Sequence, residues 1–244
     1  MSPSKFFFLF FIIIFSSKCQ DEKSFLDLLK SYIQSHVSNE SLLSLIELVR
    51  HRNSHNFPDN YETNKAAFKN HINTIKHNKG YIEDQGSYSD MKYGIKKVSE
   101  SGCGIIATYN VIYHITKKEN IDFPSIIRAY ENDGIILRGM FGTSMKAVDD
   151  YLKKQGYRTK SSSKKEDYDG IGQSYDAFVL TIYNSVDDIT QGMHFIAITK
   201  TNGKYYVHNN GRNSSTVAYT SISDVLKRIN GGKAKDVYLT GVKK

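Results

Sequence analysis

Apolar residues recur every three or four positions in the first third of the chain, a spacing that gathers them on one face of a helix. The pattern runs through 24–50 and is broken at Ser38-Asn39, where the second of two helices is expected to begin. A third predicted helix covers 62–78 and ends at Gly80. The residues expected to face inward are Leu26, Leu29, Ile33, Leu42, Leu45, Ile46, Val49, Ala66, Phe68, Ile72 and Ile75.

Apolar residues cover much of the circumference of the next predicted helix, 105–115, which is typical of a buried helix. Two further helices are predicted at 123–131 and 144–155. The second has a capping pair in Thr143-Ser144 and a stop signal in Gly156. The stretch 80–100 lacks periodicity and is interpreted as a connector.

After Gly156 the helical spacing gives way to short apolar runs that are typical of β-strands. A polar loop is expected at 161–170, and Asn202-Gly203 predicts a tight hairpin turn. The predicted strands are 178–183, 194–199, 204–208 and 236–242, and one more helix is predicted at 222–229. Helices first and an antiparallel sheet second predict an α+β fold.

The N-terminus has the layout of a secretory signal peptide. Lys5 precedes ten apolar residues at 6–15, and small residues lead up to Cys19. Ten residues fall well short of the roughly 20 that a helix needs to cross a bilayer. We therefore expect 1–19 to be removed near Cys19–Gln20, which leaves a secreted or lumenal protein without a membrane anchor.

The charge pattern favours a solvated basic surface over a nucleic-acid interface. The formal net charge is +8 and falls to +6 once Lys5 and Lys18 leave with the leader. The lysines are spread in small clusters, without an arginine-rich block or interleaved aromatic residues. No metal-ligand or phosphate-binding motif stands out, so we expect no metal, no cofactor, no nucleic-acid partner and a monomer.

Cys103 and His194 are the residues with the clearest chemical meaning. Removal of the leader leaves Cys103 as the single cysteine, a thiol that cannot form an internal disulfide. Gly102 and Gly104 permit a tight turn before a helix, whose N-terminus lowers the pKa of a thiol. A histidine beside the thiol would act as general base and then as general acid. The alternative is an inert buried cysteine.

A histidine base needs a third group to orient it, and Asn209 is the candidate. The hairpin at 201–204 brings the strand that carries His194 beside the region 208–211. The Asn209 side chain could then accept the Nδ1 proton of the imidazole without adding charge. Asn210 takes its place if the register shifts by one residue.

Three runs together resemble a known family. They are similar to the papain-like cysteine peptidases that process bacteriocin leaders, the double-glycine type. The runs are S-G-C-G-I-I-A-T-Y-N, G-T-S-M-K-A-V-D-D-Y-L-K-K-Q-G-Y and H-F-I-A-I-T-K-T-N-G-K-Y-Y-V-H-N-N-G. The resemblance spans about 93–211. It implies a papain-like fold, hydrolysis of peptide bonds, and Cys103, His194 and Asn209 as the catalytic residues.

The chain departs from this family before the cysteine. Relatives carry a glutamine for the oxyanion six residues upstream, whereas this chain has Lys97 there. An ammonium at Lys97 could stabilise an oxyanion or point to solvent. Gln85 lies too far upstream to be carried over by position.

These observations predict a three-part organisation and a function. Residues 1–19 form the signal peptide, 20–90 a helical extension or inhibitory pro-region, and 91–244 a papain-like domain with the cysteine on its central helix and the histidine and asparagine on its sheet. The expected function is hydrolysis of a peptide or protein substrate by a Cys–His–Asn site. The alternatives are a catalytically silent binding module and a transamidase that uses the same site.

Overall fold

A five-stranded antiparallel sheet forms the centre of the structure, a computed structural model that describes residues 38–51, 57–184, 192–211 and 214–244. The predicted signal peptide and the predicted helix that starts at 24 lie outside these residues. The strand order is β3-β7-β4-β5-β6. These strands are β3 Arg158–Ser162, β4 Ala177–Tyr183, β5 Met193–Thr201, β6 Lys204–His208 and β7 Lys235–Lys243, and a separate pair is formed by β1 Lys92–Tyr93 and β2 Lys96–Lys97.

Helices precede the sheet and also lie between its strands. They are α1 Asn39–His51, α2 Tyr61–Phe68, α3 Ile72–His77, α4 Val98–Ser101, α5 Cys103–Thr116, α6 Phe123–Asn132, α7 Met145–Lys154, α8 Tyr168–Ser174 and α9 Ile222–Arg228. The described residues therefore form an α+β fold with an antiparallel sheet, which confirms the predicted fold class at that level. Among them, no helix is both long enough and apolar enough to pass through a bilayer.

The two faces of the sheet are covered by different helices. Alternate residues of β4, Phe178, Leu180 and Ile182, join side chains of α8 and α9 in one apolar cluster. Helix α5 contacts β4 and β5, and β4 is buried along its whole length, which places α5 against the opposite face. The first ten residues of α5 are all buried. This burial explains why the predicted helix at 105–115 is apolar nearly all round.

The local signals for turns and caps are confirmed. Asn202 and Gly203 both have positive φ, 51° and 72°, and join β5 to β6 with Thr201 opposite Lys204. The Ser144 hydroxyl accepts from the N–H of Ala147 at the start of α7. The strand predicted at 204–208 has those bounds, and the other three predicted strands are longer than predicted by one or two residues at one or both ends.

Two predictions about local structure are wrong. The stretch 161–170 is not a loop throughout, because β3 reaches Ser162 as a partly exposed edge strand and α8 begins at Tyr168. The predicted helix 62–78 is split into α2, a 3₁₀ turn and α3. Ala66 and Ile72 are exposed there, because the side chain of Asn64 is turned inward and bonds both the N–H and the C=O of Lys92, at 2.7 and 2.9 Å.

The helical stretch before residue 91 packs against the rest of the described chain, and 38–244 forms one compact unit. The ion pairs of Arg50 connect this stretch to the later helices. Its side chain is only 4% exposed, and its guanidinium bonds Asp133 at 2.8 Å and Asp150 at 2.9 Å. Helix α1, which the sequence assigns to an extension, is thereby joined to α7 and to the residue that follows α6.

We expect Arg50→Gln to lower the free energy of unfolding by about 2 kcal/mol in urea denaturation. Breaking a buried ion pair costs about 3–5 kcal/mol, and the partly exposed carboxylates regain part of this by rehydration. Arg128→Gln is the matched control, because Arg128 and its partner Asp59 are 49% and 59% exposed, and about 0–1 kcal/mol is expected. Equal stability of the two variants would contradict the role given to Arg50.

Candidate active site

Cys103 is the first residue of α5, and it is placed there by close packing on both sides. A Cβ on Gly102 would lie 2.7 Å from the carbonyl oxygen of Val98, and a Cβ on Gly104 would lie 2.9 Å from Cβ of Thr143. The φ of Gly102 is −87°, which any residue adopts. The flanking glycines are therefore required by packing, and not by the turn conformation that the sequence suggests.

His194 lies opposite Ile182 in the register of β5 with β4, and it is near enough to Cys103 that each side chain shifts the pKa of the other. The structure thus brings together the two residues on which the predicted chemistry depends. The Nε2 atom of His194 is 2.7 Å from the backbone oxygen of Asn209. A carbonyl oxygen only accepts, so Nε2 carries a proton and Nδ1 is left to face the sulfur.

The surroundings of Cys103 favour its thiolate. Burial by itself would raise the pKa of this thiol, but the hydrogen bond and charge of His194 lower it. The backbone N–H groups of Phe195 and Gly104 also act to lower the pKa, and the net effect is a pKa below the ordinary value of a thiol. The N-terminal end of α5 contributes a partial positive charge in the same place.

The imidazole shows the complementary shift. Burial is the largest influence and would lower the pKa of His194, yet the paired Cys103 and the carbonyl group of Asn209 hold the pKa above its ordinary value. A lowered thiol pKa beside a raised imidazole pKa favours transfer of the proton from sulfur to nitrogen. Both shifts favour the thiolate and imidazolium form, in which a cysteine attacks a carbonyl.

The contact between Asn209 and His194 differs from the predicted one. It uses the backbone carbonyl and Nε2, whereas the sequence suggests the side chain and Nδ1. The Asn209 side chain instead accepts from the N–H of Gln85 at 3.0 Å and donates to Oε1 of Gln85 at 3.4 Å. Its φ of 59° lies in the left-handed region, which asparagine tolerates better than most residues.

The sequence does not identify two residues of this site, Glu83 and Gln85. Glu83 accepts from the N–H of Asn209 at 3.2 Å, and Gln85 also donates from its amide to the carbonyl of Ser99 at 3.1 Å. Position alone excluded Gln85 from the site, and Glu83 carries no motif. The one available signal was the lack of periodicity in 80–100, which marks a segment whose residues are fixed by side-chain contacts.

The remaining candidates lie elsewhere. Lys97 is exposed at the end of β2, and the polar contacts described for Cys103 and His194 do not involve its side chain. Asn210, the alternative to Asn209, donates to the side chain of Asn230 at 3.2 Å. No three acidic, histidine or cysteine side chains of the described residues are grouped as they would be around a metal ion.

Compared with models of known protein families and with curated proteins, the chain matches none. The function is therefore inferred from the contacts around Cys103.

The lowered pKa of Cys103 leads to a prediction about alkylation. An ordinary thiol, with a pKa of about 8.5, loses its thiolate as the pH falls through that value. The Cys103 thiolate is expected to persist to lower pH, so iodoacetamide should still modify Cys103 rapidly at pH 6. His194→Ala removes the influence of the imidazole while burial continues to raise the pKa of the thiol, so the profile should move to higher pH than that of the native chain.

Mass spectrometry of the peptide that contains Cys103 measures the rate and separates it from any reaction at Cys19. Cys103→Ala gives the background. Equal pH profiles for the native chain and His194→Ala would show that the imidazole does not activate the sulfur.

Proposed function

We propose that this chain is a papain-like thiol hydrolase that cleaves amide bonds in peptide or protein substrates. The observation that carries the proposal is the pairing of Cys103, at the N-terminus of a buried helix, with His194 on an antiparallel sheet. A papain-like site needs this combination of a helix-borne thiol and a strand-borne imidazole. The likeness of the three sequence runs to peptidases of that type supports the same conclusion.

In this proposal Cys103 and His194 act in turn. The thiolate attacks the carbonyl carbon of the substrate, and the electron pair moves to the carbonyl oxygen. The imidazolium gives its proton to the leaving amine, which leaves an acyl thioester on Cys103. His194 then takes a proton from water, and the water oxygen attacks the thioester. The acyl group leaves as a carboxylic acid, which restores the thiolate of Cys103 beside the imidazolium of His194.

The negative oxygen of the tetrahedral intermediate needs donors, and the first turn of α5 supplies them. The first N–H groups of a helix have no partner within the helix. They point toward the end of α5 where Cys103 lies, and the helix dipole favours negative charge there. Lys97 is the candidate that the sequence adds for this role.

A binding module that performs no chemistry is the second candidate function. The observation that favours it is the low exposure of Cys103, 8% of its surface. On this alternative the buried pair would serve the fold, and a peptide would bind without being cleaved. Transfer of the acyl group to an amine is a third outcome, and it requires the same thioester.

We expect the full chain to hydrolyse members of a broad peptide library at neutral pH and to react with an epoxide probe directed at cysteine peptidases. Cys103→Ala should abolish both reactions, and His194→Ala should reduce turnover by about 10²-fold or more, in the range of a lost general base. Turnover is measured by mass spectrometry of the products, with and without an added primary amine.

Products that carry the amine would indicate a transamidase. Binding of a library peptide to native chain and Cys103→Ser alike, without turnover or probe labelling above Cys103→Ala, would establish the binding module and overturn the hydrolase.

Lys97→Met tests the upstream candidate. We expect kcat and KM to stay within about twofold of their native values, because an exposed ammonium interacts weakly through water. A large fall in kcat at unchanged KM would instead assign transition-state stabilisation to the Lys97 ammonium.

A further inference from the structure

The segment 81–85 crosses the candidate site, although it lies upstream of the predicted catalytic domain. Asn110, two turns along α5 from Cys103, anchors it. Its side chain accepts from the N–H of Ile82 and donates to the C=O of Ile82, both at 2.8 Å. Asn110 and Ile82 are fully buried, so the anchor is shielded from competition by water.

Glu83, the next residue, connects this anchored segment to the turn that follows β6. One carboxylate oxygen accepts from the N–H of Asn209 at 3.2 Å, and the other accepts from Nδ1 of His208 at 2.6 Å. His208 is itself held by the Thr199 hydroxyl at 2.9 Å and by the ring of Tyr81, which stacks on it at 4.0 Å. Glu83 thus contacts two successive residues, the last residue of β6 and the first residue after it.

The residue that Glu83 holds is the one that holds His194. The N–H of Asn209 is bound by the carboxylate while the carbonyl oxygen of the same residue accepts from Nε2 of the imidazole. A left-handed residue has no regular secondary structure to keep its carbonyl in place. The direction of that carbonyl is therefore set by the contacts from Glu83 and Gln85.

We propose that Glu83 is a positioning residue for the thiol–imidazole pair, and that the segment 81–85 belongs to the working site. This inference rests on the proposed function. Glu83 touches neither the sulfur nor the imidazole. It acts through Asn209, whose carbonyl keeps the proton on Nε2 and leaves Nδ1 turned toward Cys103. Removal of 20–90 as a pro-region would remove this support, so the active form retains residues 81–85.

The test compares Glu83→Ala with Glu83→Gln in the full chain by the iodoacetamide rate at Cys103 at pH 6. We expect Glu83→Ala to slow the reaction about tenfold or more, since small displacements of an active group cost large factors in rate. Glu83→Gln keeps an acceptor for the N–H of Asn209, and His208 can accept from the new amide, so its rate should lie within about threefold of native. Glu100→Ala removes an exposed carboxylate near Cys103 and should leave the rate unchanged.

Thermal unfolding of each variant separates loss of positioning from loss of fold. If Glu83→Ala does not fold, Glu83→Asp, which withdraws the carboxylate by one methylene, replaces it and should slow the reaction at least threefold. If Glu83→Ala, or Glu83→Asp where it is used instead, reacts at the native rate, the positioning role is overturned and the thiol chemistry stays intact. A native chain that labels no faster than Cys103→Ala would overturn both proposals.

The retention of the segment is tested on the labelled protein itself. The epoxide-labelled form is recovered and its N-terminus is sequenced. A start before residue 81 supports the inference, and a start near residue 90 in fully reactive protein would contradict it.

Discussion

The hydrogen bond from Nε2 of His194 to the backbone oxygen of Asn209 is the contact on which the candidate site depends. It fixes which nitrogen carries the proton and therefore which nitrogen faces Cys103. The bond joins a strand to a left-handed turn, two elements whose separation is set by the register of β5 with β6. The Asn202-Gly203 turn sets that register, so a short local signal controls how the regions of His194 and Asn209 face each other.

The contacts around the site form a network that begins and ends at helix α5. Helix α5 carries Cys103 at its start and Asn110 further along, and Asn110 holds Ile82. Glu83, the residue after Ile82, bonds the N–H of Asn209. The carbonyl oxygen of Asn209 in turn bonds the imidazole of His194, which lies beside the sulfur of Cys103. Each member is constrained from two sides, which is how a buried polar network fixes one arrangement out of several.

The sequence predicts those parts of the structure that local chemistry controls. Ser144 and Asn202-Gly203 are recognised because caps and turns depend on neighbours in the chain. Cys103 and His194 are singled out by residue type and by the glycines beside the cysteine. Their proximity is a long-range contact, which no local pattern in the sequence specifies.

The parts that sequence reasoning missed depend on contacts between distant side chains and backbone groups. Glu83 reaches Asn209 across 126 positions, and Asn64 turns a polar side chain inward to bond Lys92. A polar residue in such a contact looks like any surface residue in the sequence. The inward face predicted for 62–78 is wrong for this reason. Asn64 faces inward to bond the backbone of Lys92, which leaves Ala66 and Ile72 exposed.

The main-chain acceptor at position 209 has a consequence for recognising sites of this kind. Where a carbonyl group orients the base, the identity of the third residue is free to vary, provided that the peptide keeps its left-handed turn. A search for three reactive side chains in a fixed order would then pass over an intact two-residue centre. The feature to look for is a residue with positive φ. It directly follows the strand that pairs with the strand carrying the histidine.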